Sequence, residues 1–378
     1  MSARIFPVLL AGGASSRLWP ASDREKPKWD LRLFSKADST GRVQSLLEGA
    51  WERGRAVAPA SDCFVVAGAA QAPLIRQSLP ELTAENLLIE PEPRDTAAAV
   101  AYAAAALVRK INAEKGGDSR GVMLVLPGDH VIHQVERFAE TTRTGAEAAL
   151  ELDALVTYGI VPQKPATGYG YIHRGDAAKL KAANASGPAV YRVSEFREKP
   201  DRATAEKYVS SGEYFWNGGI FLYPLHILVS EFERQLPGHG ELIKKLSQLS
   251  PGGSDWESAA RQLFPALKKI SIDFGIMEHA RAVATVAASF DWDDIGSWSA
   301  VAAHLQQGAD NATGPATTVL PVDARNNLVF APGKRVALIG VEGLAVVESG
   351  SEILICKLDR DQDVKKVSEL VRDLNKPR

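Results

Sequence analysis

Residues 5–28, IFPVLLAGGASSRLWPASDREKPK, are the stretch on which the fold turns. The run from Ile5 to Leu10 is continuously apolar and of strand length, and the chain then passes through Gly12-Gly13 into small hydroxyl residues, Ser15 and Ser16. Arg17, Lys26 and Lys28 follow. A strand emptying into a loop with bare backbone N–H groups can cradle a polyanion, most simply the phosphates of a nucleotide. The alternative is a strand-to-helix turn whose charges are solvated.

Working outward, strand-length apolar runs alternate with helical ones. RVQSLLEGAWERG (42–54), AAQAPLIRQSLP (69–80) and DTAAAVAYAAAALVRKINAEKG (95–116) read as helices, whereas DCFVVAG (62–68), NLLIEPEP (86–93) and GVMLVLPGDH (121–130) read as strands. Continuous apolar strands bounded by Gly or Pro and separated by helices predict an α/β fold, a mostly parallel sheet with helices on both faces. Asp95 and Thr96 stand where side-chain oxygens cap a helix, and Gly116-Gly117 would close its other end. Ligands of such sheets sit outside the carboxyl ends of the strands, which places the loops 11–28, 90–96 and 127–130 on one rim.

The chain has 378 residues, 45% of them hydrophobic and 24% charged, enough for a full core in two or three domains. A net charge of −2 argues against nucleic-acid or membrane-surface binding through bulk electrostatics, so any anion site is local. Cys63 and Cys356 form neither a disulfide framework nor a zinc ligand set. With no leader-like or membrane-length apolar run, the expectation is a cytoplasmic protein. Composition turns small and polar at LQQGADNATGPAT (305–317), after which come short strands and a charged helix. The expected domains are 1–305, a linker at 306–317, and a small β-rich domain at 318–378 that resembles a β-helix fragment and ends in a helix.

The first loop lacks GxxxxGK[ST], which removes a Walker loop, and does not complete GxGxxG, which takes away the main support for a dinucleotide dehydrogenase. Arg17 offers a forked donor and Lys28 a point charge for phosphate oxygens. Asp129, in LPGDH, reads as a Mg²⁺ ligand or as a cap of the helix beyond. FDWDDIGSW (290–298) offers Asp291, Asp293 and Asp294, a second carboxylate cluster or an acidic surface turn. In FREKPD (196–201), a Lys for phosphate beside a Glu for a hydroxyl would suit a sugar phosphate. Asn217 of WNGGIF can donate and accept. Gly168 and Gly170 of TGYGYI expose backbone N–H groups or simply make a hairpin turn. His130, the only histidine beside a candidate site, reads as a support behind the site residues or as structural.

Together, LLAGGASSRLWPAS…KPK, EPEPRDTAAA, LPGDH, TGYGYI, FREKPD, WNGGIF, SIDFGIMEH and WDDIGSW occur in the order expected of the mannose-1-phosphate guanylyltransferases of the short bacterial type. The chain resembles that family, within the sugar-nucleotidyltransferase superfamily, over nearly its whole length, tail included. The resemblance implies a Rossmann-like nucleotide-diphospho-sugar transferase fold. It also implies synthesis of GDP-mannose and pyrophosphate from GTP and mannose 1-phosphate, with Mg²⁺.

By the resemblance, Leu10, Gly12, Gly13, Arg17, Lys28, Glu90, Arg94, Asp95, Thr96, Pro127 and Asp129 bind the nucleotide. Gly170, Glu198, Lys199, Asn217 and Asp273 bind the sugar phosphate, and Asp129 and Asp294 hold the metal. Arg17, Lys28 and Lys199 would be the catalytic cations. The departures are Ser15-Ser16 for Gly-Thr, Trp29 for Gln, Asp293 for a small polar residue, and Ser349-Gly350-Ser351 in a tail segment elsewhere acidic. Asp293 leaves the choice of metal ligand between it and Asp294 open. With no isomerase domain after residue 378, a monofunctional enzyme is expected.

The implied reaction is in-line attack of an already ionised phosphate oxygen on the α-phosphorus of GTP, so positioning and electrostatics carry the catalysis. Guanine offers two donors that a carboxylate can accept together. Glu90 or Asp95 is the candidate reader, with helix capping the alternative for Asp95. The rivals are a uridylyl, thymidylyl or adenylyl transferase acting on glucose 1-phosphate, and a catalytically silent sugar-nucleotide-binding regulatory subunit. A homodimer through the β segments of the tail is a further expectation.

Overall fold

The computed structural model describes residues 3–12, 16–23, 26–35, 43–114, 120–180, 187–308 and 310–374. Gly13, Ser15 and the Gly116-Gly117 pair lie outside these. The chain forms two compact units: Met1–Ala11, Ala50–Pro127 and Ile132–Trp292 make the first, and Gly12–Gly49, Gly128–Val131 and Asp293–Arg378 the second.

The first unit is built on nine strands: β1 (Arg4–Leu10), β2 (Phe64–Gly68), β3 (Leu87–Glu90), β4 (Gly121–Pro127), β5 (Leu155–Ile160), β6 (Tyr171–Ala177), β7 (Val190–Arg197), β8 (Tyr214–Pro224) and β9 (Val283–Ala287). Their order in the sheet is β3-β2-β1-β4-β8-β5-β9-β7-β6. The α/β architecture is the one expected. The sheet is parallel from β3 to β4 and mixed beyond, because β8 enters antiparallel between β4 and β5, and β7 and β6 are antiparallel to their neighbours. Parallel register pairs Leu10 with Pro127 and Gly68 with Glu90, so the carboxyl ends of β1 to β4 share one rim.

The helix Asp95–Ala113 is buried from Ala97 through Leu107. A helix apolar all round must be covered on every side. Its alanines pack among the sheet residues Phe6, Val8 and Val125 and the helical residues Leu242, Ile243 and Leu246 in one core. There the Trp256 indole N–H donates to the Tyr102 hydroxyl at 2.6 Å.

The second unit joins the first loop to the tail. Leu18, Trp19, Leu31 and Leu33 share a core with Trp298, Leu328, Phe330, Val347, Leu354 and Val364. The Trp298 indole N–H donates to the Trp19 carbonyl at 3.1 Å. Ser45 and Glu48 form a capping box at the start of helix Leu46–Arg55, each side chain accepting from the other's backbone N–H.

In the tail, strands Asn311–Thr313, Leu328–Phe330 and Leu344–Ser349 stack in parallel, and Thr318–Val322 stacks on Arg335–Ile339. Asn327 Nδ2 donates to Asn311 Oδ1 at 2.9 Å, while Asn327 Oδ1 accepts from Leu344 N–H at 2.9 Å. This buried amide ladder ties each turn of the coil to the next. The stretch 306–317 contributes two short strands, Gln306–Gly308 and Asn311–Thr313, to the same sheet. Among the described residues no helix is long and apolar enough to cross a membrane.

Candidate active site

Two clusters of chemistry-bearing side chains form, one in each unit. In the second unit, Lys28 follows Pro27 and is buried, and its ammonium donates to Asp129 Oδ2 at 2.7 Å and to the Asp294 carbonyl. Burial pushes the Asp129 carboxyl up, but the charges of Lys28 and His130 and the Lys28 hydrogen bond more than offset this and hold it below the usual carboxylate range. A third of its side chain still faces solvent, at 34%.

Around Gly296, a Cβ would lie 3.3 Å from Asp294 Oδ1 and 3.6 Å from Arg17 Nη1, so the guanidinium and the carboxylate converge on the bare glycine. Gly12 is exposed and its missing Cβ faces open space.

The two adjacent aspartates divide the work. Asp293 Oδ1 accepts from Ile295 N–H at 2.7 Å and its Oδ2 lies 3.1 Å from His304 Nε2. Ile295 is fully buried with φ of +47°, a left-handed conformation that costs a β-branched residue about 1–3 kcal/mol. Asp293 therefore holds a strained turn, and the turn presents Asp294 toward Lys28 and Arg17.

This donor set fits Mg²⁺, which takes one or two carboxylates and completes its shell with phosphate oxygens and water. The Lys28 ammonium already places positive charge between Asp129 and the Asp294 backbone. Among the described residues no group of three or more His, Cys, Asp and Glu gathers as an all-protein metal cage would require.

In the first unit, the end of β7 turns at Glu198-Lys199-Pro200. Lys199 has φ of +46°, and its ammonium donates to Glu198 Oε1 at 2.5 Å. Glu198 Oε2 is buried with no hydrogen-bond partner among the described residues. A Cβ on Gly170 would meet that oxygen at 2.4 Å, so only glycine leaves the carboxylate in place. Gly168, by contrast, has open space where a Cβ would be.

Asn217, on β8 where the register with β5 shifts, is buried, and its Nδ2 donates to Asp273 Oδ1 at 2.9 Å. Asp273 comes from the short helix Ile272–Gly275. Burial first, then the neighbouring Glu198 charge, push the Asp273 carboxyl up to about 6. Thr96 anchors this loop, its hydroxyl accepting from Ile272 N–H at 2.8 Å.

The remaining rim residues also lie in the first unit. Asp95 has φ of +67° and its Oδ1 accepts from the adjacent Thr96 N–H at 2.8 Å, but among the described residues the helix Asp95–Ala113 has no side-chain cap, so the expected capping bond is not formed. Arg94 Nε donates to Glu92 Oε1 at 2.6 Å. Glu90 is different. Its Oε1 is buried and unpartnered among the described residues, and burial pushes the carboxyl up to about 7. It lines a cavity of about 490 Å³ with Ala69, Pro91, Tyr102 and Trp256.

Thus Arg17, Lys28, Asp129 and Asp294 come together, as do Gly170, Glu198, Lys199, Asn217 and Asp273. Glu90, Arg94, Asp95 and Thr96 line the stretch from the end of β3 to the following helix, and Leu10 and Pro127 pair at the rim. Lys26, expected to be solvated, is exposed and donates to Ser349 Oγ in the tail at 3.3 Å. The sequence reading did not single out Thr157, whose hydroxyl donates to Asn217 Oδ1, or the structural task of Asp293. An isolated Thr in an apolar strand carries no spacing signal.

Comparison with known proteins shows the family. A nucleotidyl transferase family model matches residues 6–310, and a model of the MannoseP isomerase/GMP-like β-helix domain matches 317–371. A mannose-1-phosphate guanylyltransferase of Klebsiella pneumoniae is 35% identical, the alignment covering 97% of this chain and 74% of the relative. An Escherichia coli protein of the same name is 34% identical, with the same shares covered. A crystal structure from Thermus thermophilus, described as a "mannose-1-phosphate geranyltransferase", superposes with a TM-score of 0.82 at 32% identity. The match covers 98% of this chain and 99% of that one. The chain therefore belongs to the mannose-1-phosphate guanylyltransferase family of nucleotidyl transferases.

Proposed function

We propose that this enzyme joins GTP and mannose 1-phosphate into GDP-mannose, releasing pyrophosphate, in the cytoplasm. The observation that carries the reading is the buried Lys28 ammonium shared between the Asp129 carboxylate and the Asp294 backbone, with Arg17 beside Asp294. A site of that composition suits a polyphosphate and a hard cation, and among the described residues it contains no nucleophile–base pair.

The nucleophile is a phosphate oxygen of the sugar phosphate, ionised at neutral pH, so no general base is needed. It attacks the α-phosphorus of GTP as the bond to the bridging oxygen breaks and the electron pair leaves with pyrophosphate. Gly12 leaves room for the triphosphate to approach the loop backbone. Arg17 and Lys28 stabilise the charge that shifts toward the leaving group. Asp129 and Asp294 would hold Mg²⁺, which when bound neutralises phosphate charge. Lys199 holds the phosphate of the sugar phosphate, and Glu198, Asn217 and Asp273 take its hydroxyls. Glu90 is the reader of guanine, its free oxygen placed to accept from a base edge that presents two donors. For Asp95 the bond from the adjacent Thr96 N–H supports a local structural role.

Pyrophosphate release from GTP and mannose 1-phosphate with Mg²⁺ tests the reading, against glucose 1-phosphate and against UTP and dTTP. Equal use of UTP or dTTP would overturn the assignment of the base. Arg17→Ala should lower kcat roughly 10²–10³-fold. Lys199→Ala should reach a similar loss of kcat/KM through a raised KM for mannose 1-phosphate. Near wild-type turnover in both variants would defeat the site.

A further inference from the structure

We infer that Thr157 is a positioning residue for the sugar phosphate, acting through Asn217; this rests on the function proposed above. Thr157 lies in β5, fully buried, and its hydroxyl donates to Asn217 Oδ1 at 2.8 Å, with the Ile220 carbonyl 3.3 Å away. Asn217 Oδ1 also accepts from Gly219 N–H at 3.2 Å. A backbone N–H only donates, so the amide oxygen must face it, and the amide NH₂ must point the other way. That leaves Nδ2 on Asp273 Oδ1.

Two donors thus fix the rotation of one side-chain amide, and only one of them is a side chain that substitution can remove. The consequence reaches the ligand. The Asn217 hydrogen bond favours the ionised form of Asp273, which burial and the Glu198 charge oppose. If Asn217 turns, Asp273 loses its donor, and the pocket loses a fixed acceptor for a sugar hydroxyl.

The test is Thr157→Val, which keeps the shape and removes the hydroxyl, with Thr157→Ser restoring it and Thr157→Ala as a second deletion should the valine variant not fold. Calorimetric Kd for mannose 1-phosphate, taken on every protein, reads the inference whether or not the enzyme turns over. KM values for both substrates and the mannose-to-glucose 1-phosphate preference are then measured in the assay.

Deletion of the hydroxyl should weaken mannose 1-phosphate about tenfold and lower the preference, while KM for GTP stays within about twofold. Thr157→Ser should lie within about twofold of wild type, and Thr157→Val should add nothing in an Asn217→Ala background. An unchanged Kd, equal shifts for both substrates, failed rescue by serine, or an undiminished effect without Asn217 would each overturn the inference. A wild-type chain that binds mannose 1-phosphate yet makes no GDP-mannose would instead overturn the functional reading.

Discussion

Glu90 carries a charge that burial makes unfavourable, a cost that the proposed guanine contact would account for. Its carboxyl is pushed up to about 7 by burial alone, with no cation to offset the lost hydration. An acid whose folded value lies above its unfolded value near 4.5 binds its proton more tightly when folded. Its cost is therefore absent below about 4.5, grows as pH rises, and is fully present above about 7. Glu90→Gln should accordingly raise the melting temperature of the ligand-free protein at pH 8, by clearly more than at pH 5, where most of the penalty is gone. The same variant should raise KM for GTP at pH 8, since an amide cannot accept from both guanine donors. For the wild type, KM for GTP should rise as pH falls below about 7. Thermal melts at the two pH values, with GTP titrations in parallel, check this; equal melting at pH 8 would remove the charge penalty from the account.

At the scale of elements, most of the fold was legible. The apolar strands, the Ala-rich helix and the rim loops follow from periodicity and from the glycines and prolines that punctuate them. The antiparallel entry of β8 was not, because a run such as YFWNGGIFLYP specifies a buried strand without specifying its direction. The clusters were legible as residue types in motifs; the lock on Asn217 was hidden, because it depends on which strands become neighbours. The two glycines of TGYGYI illustrate the limit, since they look equivalent in sequence. Gly170→Ala would drive a Cβ to 2.4 Å from the buried Glu198 Oε2, whereas the same change at Gly168 meets nothing within 4 Å. The first should raise KM for mannose 1-phosphate about tenfold by displacing the Glu198 carboxylate, at a stability cost of no more than about 1 kcal/mol, since the atom it meets is the end of a flexible side chain. The second should stay within about 0.5 kcal/mol of wild type. Denaturant melts and initial rates on the pair distinguish a local clash from a general dislike of alanine in the hairpin.

At the scale of the whole molecule, the composition break near 305–317 sets off the tail in the sequence, and the tail packs against the first loop. Leu18, Trp19, Leu31 and Leu33, which flank Arg17 and Lys28, are buried in the same cluster as Phe330, Ala345, Val347, Leu354 and Val364. Lys26 reaches Ser349, and Trp298 reaches the Trp19 backbone. Contacts this distant in sequence leave no local pattern, which is why the dependence of the first loop on the tail could not be read beforehand. Each large apolar side chain removed from such a core forfeits about 1.5–3 kcal/mol. Loss of the four large tail side chains, Phe330, Val347, Leu354 and Val364, therefore rivals the roughly 5–15 kcal/mol that holds a typical domain folded. A chain ending at residue 310 should consequently fail to order its phosphate-binding loop. Trypsin should cut it at Lys28, which is buried in the full chain, and kcat/KM for GTP should fall at least about 10²-fold. A truncated chain with full-length kcat/KM and intact resistance at Lys28 would show that the shared core is dispensable, and that the tail serves some purpose other than holding the cations.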